Sequence, residues 1–280
     1  MNPYIEILRP GNVIMAMIAI VLVAIVDHSL SIPIILAMMT VFFEISAGNV
    51  INDYFDYKID LINKPERPIP SGKIKPKQAR NYAYLLFILG TVTGFLISCI
   101  NKDWTAFIIV LFSDVVLYCY AYKLKSTPLL GNLTVGFMTG LCFAFGGYSI
   151  NNPQIIAISW FLGFFAFIMT TAREITKDIE DIEGDKKENA KTFPILYGER
   201  ISSIIIFALI IIDCLLCPLL YTNHVFNIIY LIIITVAIII FLYSAILIIK
   251  KQDKTTAGIV SKYLKIGMLI AFIAFALGSV

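Results

Sequence analysis

The stretch Asn49-Val-Ile-Asn52-Asp53-Tyr-Phe-Asp56-Tyr-Lys-Ile-Asp60 concentrates amides and carboxylates directly after an apolar run. On a helix advancing about 100° per residue, Asn52, Asp56, Asn49, Asp60 and Asp53 fall at roughly 0, 40, 60, 80 and 100°, so all five share one face. Three carboxylates on one face repel each other unless a cation sits between them. Oxygen donors of this kind suit Mg²⁺, which takes few protein ligands and commonly arrives with a substrate phosphate.

A second acidic segment follows much later: Arg173-Glu174-Ile-Thr-Lys-Asp178-Ile-Glu-Asp181-Ile-Glu-Gly184-Asp185-Lys186-Lys187. Glu174, Asp178, Asp181 and Asp185 repeat the spacing of Asn49, Asp53, Asp56 and Asp60, and on one continuous helix they would span roughly 60° of a face. Glu180 and Glu183 point elsewhere and read as solvated. The ligand spacing and the glycine position do not match a calcium-binding EF-hand loop. Each segment closes an apolar run, four helices apart, which hints at an internal repeat.

The elements that must position these groups are membrane helices. Of the 280 residues 59% are hydrophobic and only 15% charged, with a mean hydropathy of +0.86, far from the balance of an ordinary soluble domain. Apolar runs recur around residues 20, 42, 90, 112, 140, 164, 210, 238 and 271, each near the roughly 20 residues a spanning helix needs. The expectation is an all-α, polytopic membrane protein of about nine helices in a single domain, residues 1–280. Continuous rather than alternating apolar runs exclude a β-barrel. The first run lacks a small-residue cleavage site behind it and reads as a retained helix, not a signal peptide.

Charge placement orients the chain. With nine spans, every one of the 22 basic residues except Lys102 falls on one side. The excess of Lys and Arg in cytoplasmic loops then puts the N-terminus and both acidic segments in the cytoplasm and the C-terminus outside a cell membrane. The partners implied are the bilayer and a phosphorylated small molecule, with no nucleic acid.

The remaining polar groups sort into bland and sharp readings. Pro65, Pro68, Pro70, Pro76 and Gly72 forbid a continuous helix and predict irregular backbone from Asn63 to Lys77. Lys64, Arg67 and Lys73 there suit either lipid headgroups or an anionic substrate. Tyr118-Cys-Tyr120-Ala-Tyr122-Lys123-Leu-Lys125 is an interfacial anchor unless a lysine turns inward to a phosphate. Glu44, Asp114 and Asp213 lie within spans, where a carboxylate is a functional candidate by default, although Glu44 stands about 180° from Asp53 on the helical wheel. The five cysteines sit in apolar runs and read as packing. His28 and His224 read as loop residues.

Two acidic clusters ringed by lysine and arginine fit a diphosphate held through Mg²⁺, and metal-bound diphosphate is a good leaving group because charge is neutralised as the carbon–oxygen bond breaks. An Ile-, Leu- and Phe-rich bundle beneath would hold a hydrocarbon tail. Together these describe a prenyl diphosphate.

The residues Asn52-Asp53-Tyr-Phe-Asp56-Tyr-Lys-Ile-Asp60 resemble the first acidic motif of the UbiA family of intramembrane prenyltransferases, and Asp181-Ile-Glu-Gly-Asp185 resembles the second. Arg67-Pro68 and Tyr122-Lys-Leu-Lys125 are also family-like. Within the family, Asp178-Ile-Glu-Asp181-Ile-Glu-Gly-Asp185 together with Arg9-Pro10-Gly11-Asn12 is most similar to the archaeal digeranylgeranylglyceryl phosphate synthases.

The resemblance implies nine helices around a central cavity and two Mg²⁺ ions bridging the motifs to diphosphate. Asn52, Asp56 and Asp60 would serve one ion, with Asp53 beside them, and Asp181 and Asp185 the other, with Asp178 one turn earlier. Arg67, Lys125 and Lys123, with Arg9 and Asn12, would bind diphosphate or phosphate. It further implies ionisation to an allylic cation and capture by the free hydroxyl of geranylgeranylglyceryl phosphate, giving the second ether bond of archaeal lipids. Lys73, Lys187 and Lys191 are candidates for the acceptor's own phosphate. Asp53, Asp178 or the departing diphosphate would take the hydroxyl proton. The rivals are a relative acting on an aromatic quinone precursor and, from another class, a divalent-cation transporter, which would instead line a midplane path with carboxylates.

Overall fold

A computed structural model describes residues 2–187 and 190–279. Every regular element among them is helical. A short α1 (Pro3–Glu6) precedes α2 (Pro10–Val26), α3 (Ile32–Asn63), α4 (Pro76–Asn101), α5 (Thr105–Tyr122), α6 (Leu130–Ile150) and α7 (Pro153–Glu180). Two short pieces, α8 (Ile182–Lys187) and α9 (Phe193–Tyr197), lead into α10 (Glu199–Leu216), α11 (Leu219–Thr222), α12 (Ile228–Lys250) and α13 (Lys254–Gly278). Among the described residues eight helices are long and apolar enough to cross a membrane, α10 and α11 counting as one, and α2 adds a shorter apolar helix. Among the described residues, each of the nine apolar runs of the sequence falls on one of these helices.

The chain forms two compact units, Met1–Leu124 with Cys142–Ser159, and Lys125–Leu141 with Trp160–Val280. In the first, α3 is the centrepiece, with α2, α4 and α5 packed along it. It runs unbroken through the whole first acidic stretch, as the helical spacing predicts. One face of its second half packs Ala47, Val50 and Ile51 against Ala79, Ala83 and Leu86 of α4. Ile7 and Leu8 join that cluster from the N-terminal segment, and Ile69 and Ile74 join it from the loop after α3. These four residues are 1%, 7%, 3% and 0% exposed. Burial of such side chains is worth about 1.5–3 kcal/mol each, enough to hold two irregular segments against the bundle.

The irregular stretch after α3 is shorter than expected. It covers residues 64–75, because α3 continues through Asn63 and α4 begins at Pro76, inside the expected Asn63 to Lys77 stretch. Proline suits the first helical position, where its missing N–H goes unused, and the Gln78 side chain accepts from the Lys75 backbone N–H at 3.0 Å.

Glu44 is buried on α3, with its carboxyl against Gly90 of α4 and beside Asp114 of α5. Thr91 donates to Asp114 Oδ2 at 2.9 Å. The wheel placed Glu44 away from Asp53; the structure gives it this separate polar contact between three helices.

In the second unit, α6 and α7 approach through glycines. A Cβ added at Gly140 would lie 2.5 Å from the Gly163 carbonyl oxygen, and one added at Gly163 would lie 2.5 Å from the Gly140 carbonyl oxygen. Small residues allow this close approach of membrane helices. Gly140→Ala and Gly163→Ala are each expected to destabilise the protein by about 1–3 kcal/mol, the usual cost of overpacking. Thermal unfolding in detergent reads this as a lowered Tm. Further along, α12 and α13 pack as a pair, with the rings of Tyr230 and Phe275 stacked at 6.0 Å.

Candidate active site

The first acidic stretch emerges at the end of α3 with its polar groups already committed. Asn52 donates to Asp56 at 2.9 Å, an i, i+4 pair that the helix itself supplies. Asn49 points its amide elsewhere, donating to the Leu8 carbonyl oxygen at 2.8 Å and so tying the N-terminal segment to α3. Asp53 is 4% exposed. Its Oδ1 accepts from Arg9, and from Arg67 at 3.3 Å. Arg67 also donates to Asp60 at 2.7 Å, and Asp60 is likewise 4% exposed. On this face Arg67 bridges Asp53 and Asp60, while Arg9 reaches Asp53 alone.

Both arginines are delivered by anchored, irregular backbone. Arg9 caps α2 in the left-handed conformation, φ 53°, which is uncommon for a residue with a Cβ. Ile7 and Leu8 are buried immediately before it, so the surrounding structure holds it there. Arg67 lies in the loop just ahead of buried Pro68 and Ile69. Its backbone N–H donates to Lys64 and its carbonyl accepts from Ser71. Asn12 is exposed in the first turn of α2.

At the second stretch, the expected single helical face is interrupted. Helix α7 ends at Glu180 and α8 begins at Ile182, leaving Asp181 in a turn. Its N–H still donates to Lys177 at 2.9 Å, and its carbonyl accepts from Gly184 and Asp185 at 2.9 and 3.0 Å. Asp181 is exposed and Asp185 half-buried. Glu174 is taken up by its own helix: Arg173 donates to it at 3.1 Å and Lys177 at 3.1 Å.

Asp178 has the partner that sequence reasoning missed. Asn132 of α6, 9% exposed, donates to Asp178 at 2.9 Å. An asparagine in the first turn of a membrane helix was the available signal. Asn132→Leu is expected to cost about 1–3 kcal/mol, because it strips a hydrogen bond from a carboxylate that has left water. Tm in detergent reports it.

Lys123 caps the end of α5 and is exposed, whereas Lys125 is half-buried in the 3-10 turn Leu124–Ser126. Lys73 and Lys191 are exposed. The side chain of Lys187 falls outside the described residues. Phe55 on α3 packs edge-on against Tyr118 and Tyr122 of α5, at 5.5 and 5.4 Å. The tyrosines therefore support the helix that bears the first acidic stretch.

Among the described residues, no three His, Cys, Asp or Glu side chains converge into a ready-made metal site. The donor set nevertheless suits Mg²⁺. Asp56 and Asn52 are paired on one face of α3, and an ion of this kind needs only one or two carboxylates when substrate phosphates complete its shell. The arrangement fits a metal that is held jointly with an anionic substrate.

Residues 12–276 match the model of the UbiA prenyltransferase family. A digeranylgeranylglyceryl phosphate synthase of Methanobrevibacter smithii is 70% identical over 279 residues, covering all of this chain and 98% of that protein. A solved structure described as giving insights into digeranylgeranylglyceryl phosphate synthase in membranes is 39% identical, with a TM-score of 0.86 over 99% of this chain and 97% of that one. A UbiA homologue from Archaeoglobus fulgidus, bound to GPP and Mg²⁺, shares the fold at 18% identity, with a TM-score of 0.65 over 96% of this chain and 99% of that one.

Proposed function

The chain belongs to the UbiA prenyltransferase family, and from that premise we propose that it moves a geranylgeranyl group from geranylgeranyl diphosphate to the free hydroxyl of geranylgeranylglyceryl phosphate. The observation that carries the acceptor is the 70% identity, over the full chain, to a protein bearing that synthase's name. The product holds the second ether bond of an archaeal membrane lipid.

In this reading Asn52, Asp56 and Asp60 would hold one Mg²⁺, and Asp181 and Asp185 would hold a second. When bound, the metal neutralises the charge that develops on the departing diphosphate. Arg67, Lys125 and Lys123, with Arg9 and Asn12, bind the phosphate oxygens and share that neutralisation. The C1–oxygen bond of the prenyl diphosphate breaks to leave an allylic cation. The acceptor hydroxyl oxygen then forms the new carbon–oxygen bond and gives up its proton.

Two carboxylates were candidates for that proton. Asp53 has its Oδ1 occupied by two guanidiniums, which leaves it poorly placed to reach an acceptor hydroxyl. Asp178 accepts one amide hydrogen bond from Asn132 and is the better choice. Lys73, Lys187 and Lys191 remain candidates for the acceptor's phosphate. The excess of basic residues on one side of the spans supports a cytoplasmic N-terminus and active-site face in a cell membrane.

The test supplies purified protein and Mg²⁺ with labelled geranylgeranyl diphosphate and three acceptors: geranylgeranylglyceryl phosphate, the same lipid without its phosphate, and an aromatic acid. Label is expected in an ether of the phosphorylated acceptor. Transfer to the aromatic acid alone would favour the quinone-precursor reading and overturn this one.

A further inference from the structure

Arg9 and Arg67 reach one carboxylate, Asp53, from 44 residues before it and 14 residues after it. Each comes from a segment fastened by its own buried apolar pair, Ile7 with Leu8 and Ile69 with Ile74. Neither guanidinium is a loose surface charge: their side chains are 33% and 23% exposed, against 5% and 6% for Asp53 and Asp60. Asp53 and Asp60 of the first motif therefore face two fixed positive charges. A metal ion approaching Asp60 meets an oxygen that already accepts from Arg67 at 2.7 Å.

A diphosphate changes that balance. Its oxygens offer arginine the same two-pronged acceptor geometry as a carboxylate, with more negative charge. We propose that Arg67, assisted by Arg9, keeps the first acidic motif closed to divalent metal until a diphosphate draws the guanidiniums from Asp60 and Asp53. Metal and diphosphate then bind as a coupled pair, and Asp53 is the positioning residue that parks both arginines between turnovers. Linkage makes the coupling reciprocal: diphosphate strengthens metal binding by the factor by which metal strengthens diphosphate binding. The consequence is opposite to the usual effect of deleting a site residue. Removing Arg67 strengthens metal binding in the absence of diphosphate, because the closed state no longer competes.

This inference rests on the diphosphate site of the proposed function, and the test separates the two. Mn²⁺ binding to the detergent-solubilised full chain is followed by electron paramagnetic resonance of the free ion, with and without inorganic pyrophosphate. The metal-alone comparison is made in an Asp181→Ala background, so that the first motif reports. Wild-type sequence at the arginines is expected to bind Mn²⁺ weakly alone and at least about tenfold more tightly with pyrophosphate, a coupling of about 1.4 kcal/mol. Arg67→Gln is expected to bind Mn²⁺ alone about tenfold more tightly and to lose most of the pyrophosphate effect. Arg9→Gln should shift the same way to a smaller extent. Lys77→Gln removes an equal charge from the first turn of α4 and should change Mn²⁺ binding less than twofold.

Arg67→Gln binding Mn²⁺ alone no more tightly than Lys77→Gln, with the pyrophosphate effect intact, would overturn the closure while leaving the diphosphate site standing. Absence of any pyrophosphate effect in the protein without substitutions would overturn both.

Discussion

Chelating divalent metal with EDTA is expected to stop prenyl transfer completely, and added Mg²⁺ to restore it within the mixing time, with no change in Tm. The physical basis lies in the first acidic motif. Its aspartates are satisfied by Arg9, Arg67 and Asn52 in the absence of metal, so the fold does not depend on an ion for charge balance. No described trio of acidic, histidine or cysteine side chains converges to retain one. A metal held largely through its substrate exchanges freely, unlike a structural ion whose binding energy is folding energy. Scanning calorimetry with and without EDTA checks the stability half, and labelled product checks the activity half. A large fall in Tm on chelation would mean that the ion is part of the fold.

Asp56→Ala is expected to lower kcat by about 10²–10³-fold, the range seen when one preorganised charge-stabilising group is lost. Asp56 shares one face of α3 with Asp53 and Asp60. It is half-buried and accepts from the neutral Asn52 amide at 2.9 Å, whereas Asp53 and Asp60 accept from guanidiniums. In the proposed site it is a metal ligand, and the Asn52 amide is a group that aims it. The Asn52–Asp56 hydrogen bond that the variant removes is a partly exposed contact within one helix, worth about 0.5–1.5 kcal/mol of stability. Steady-state kinetics at saturating Mg²⁺ separates this from a weakened metal affinity. Recovery of full kcat at high Mg²⁺ would place Asp56 outside the reacting centre.

The helices were legible in the residues because composition dominates them. Runs such as Ile228–Lys250 are apolar nearly throughout, and a spanning segment needs little else. The first motif was legible for a related reason: α3 is long and regular, so wheel angles carried over, and Asn52 met Asp56 four residues on. What failed to show were contacts made between segments. Nothing in the local pattern connects Arg9 to Asp53, or Asn132 to Asp178; those pairings arise only when buried Ile7 and Leu8 seat the N-terminal segment, and when α6 comes to lie along α7. The second motif misled for the opposite reason. The matching offsets from Glu174 to Asp185 assumed one helix, and the turn at Asp181 breaks it. Likewise the wheel showed that Glu44 turns from Asp53, but its neighbours Gly90 and Asp114 lie on other helices.

The central proposal is that both acidic motifs act in the transfer step itself. The measurement closest to it is the single-turnover rate of ether formation in Asp56→Ala, Asp181→Ala and the double variant, at saturating Mg²⁺ and both substrates. Residues acting as one unit are strongly non-additive. Each single variant is expected to lose about 10²–10³-fold, and the double variant to be no more than a few-fold slower than the worse single. Losses that multiply in the double variant would assign the motifs to independent roles, and wild-type rates in either single variant would contradict the account outright.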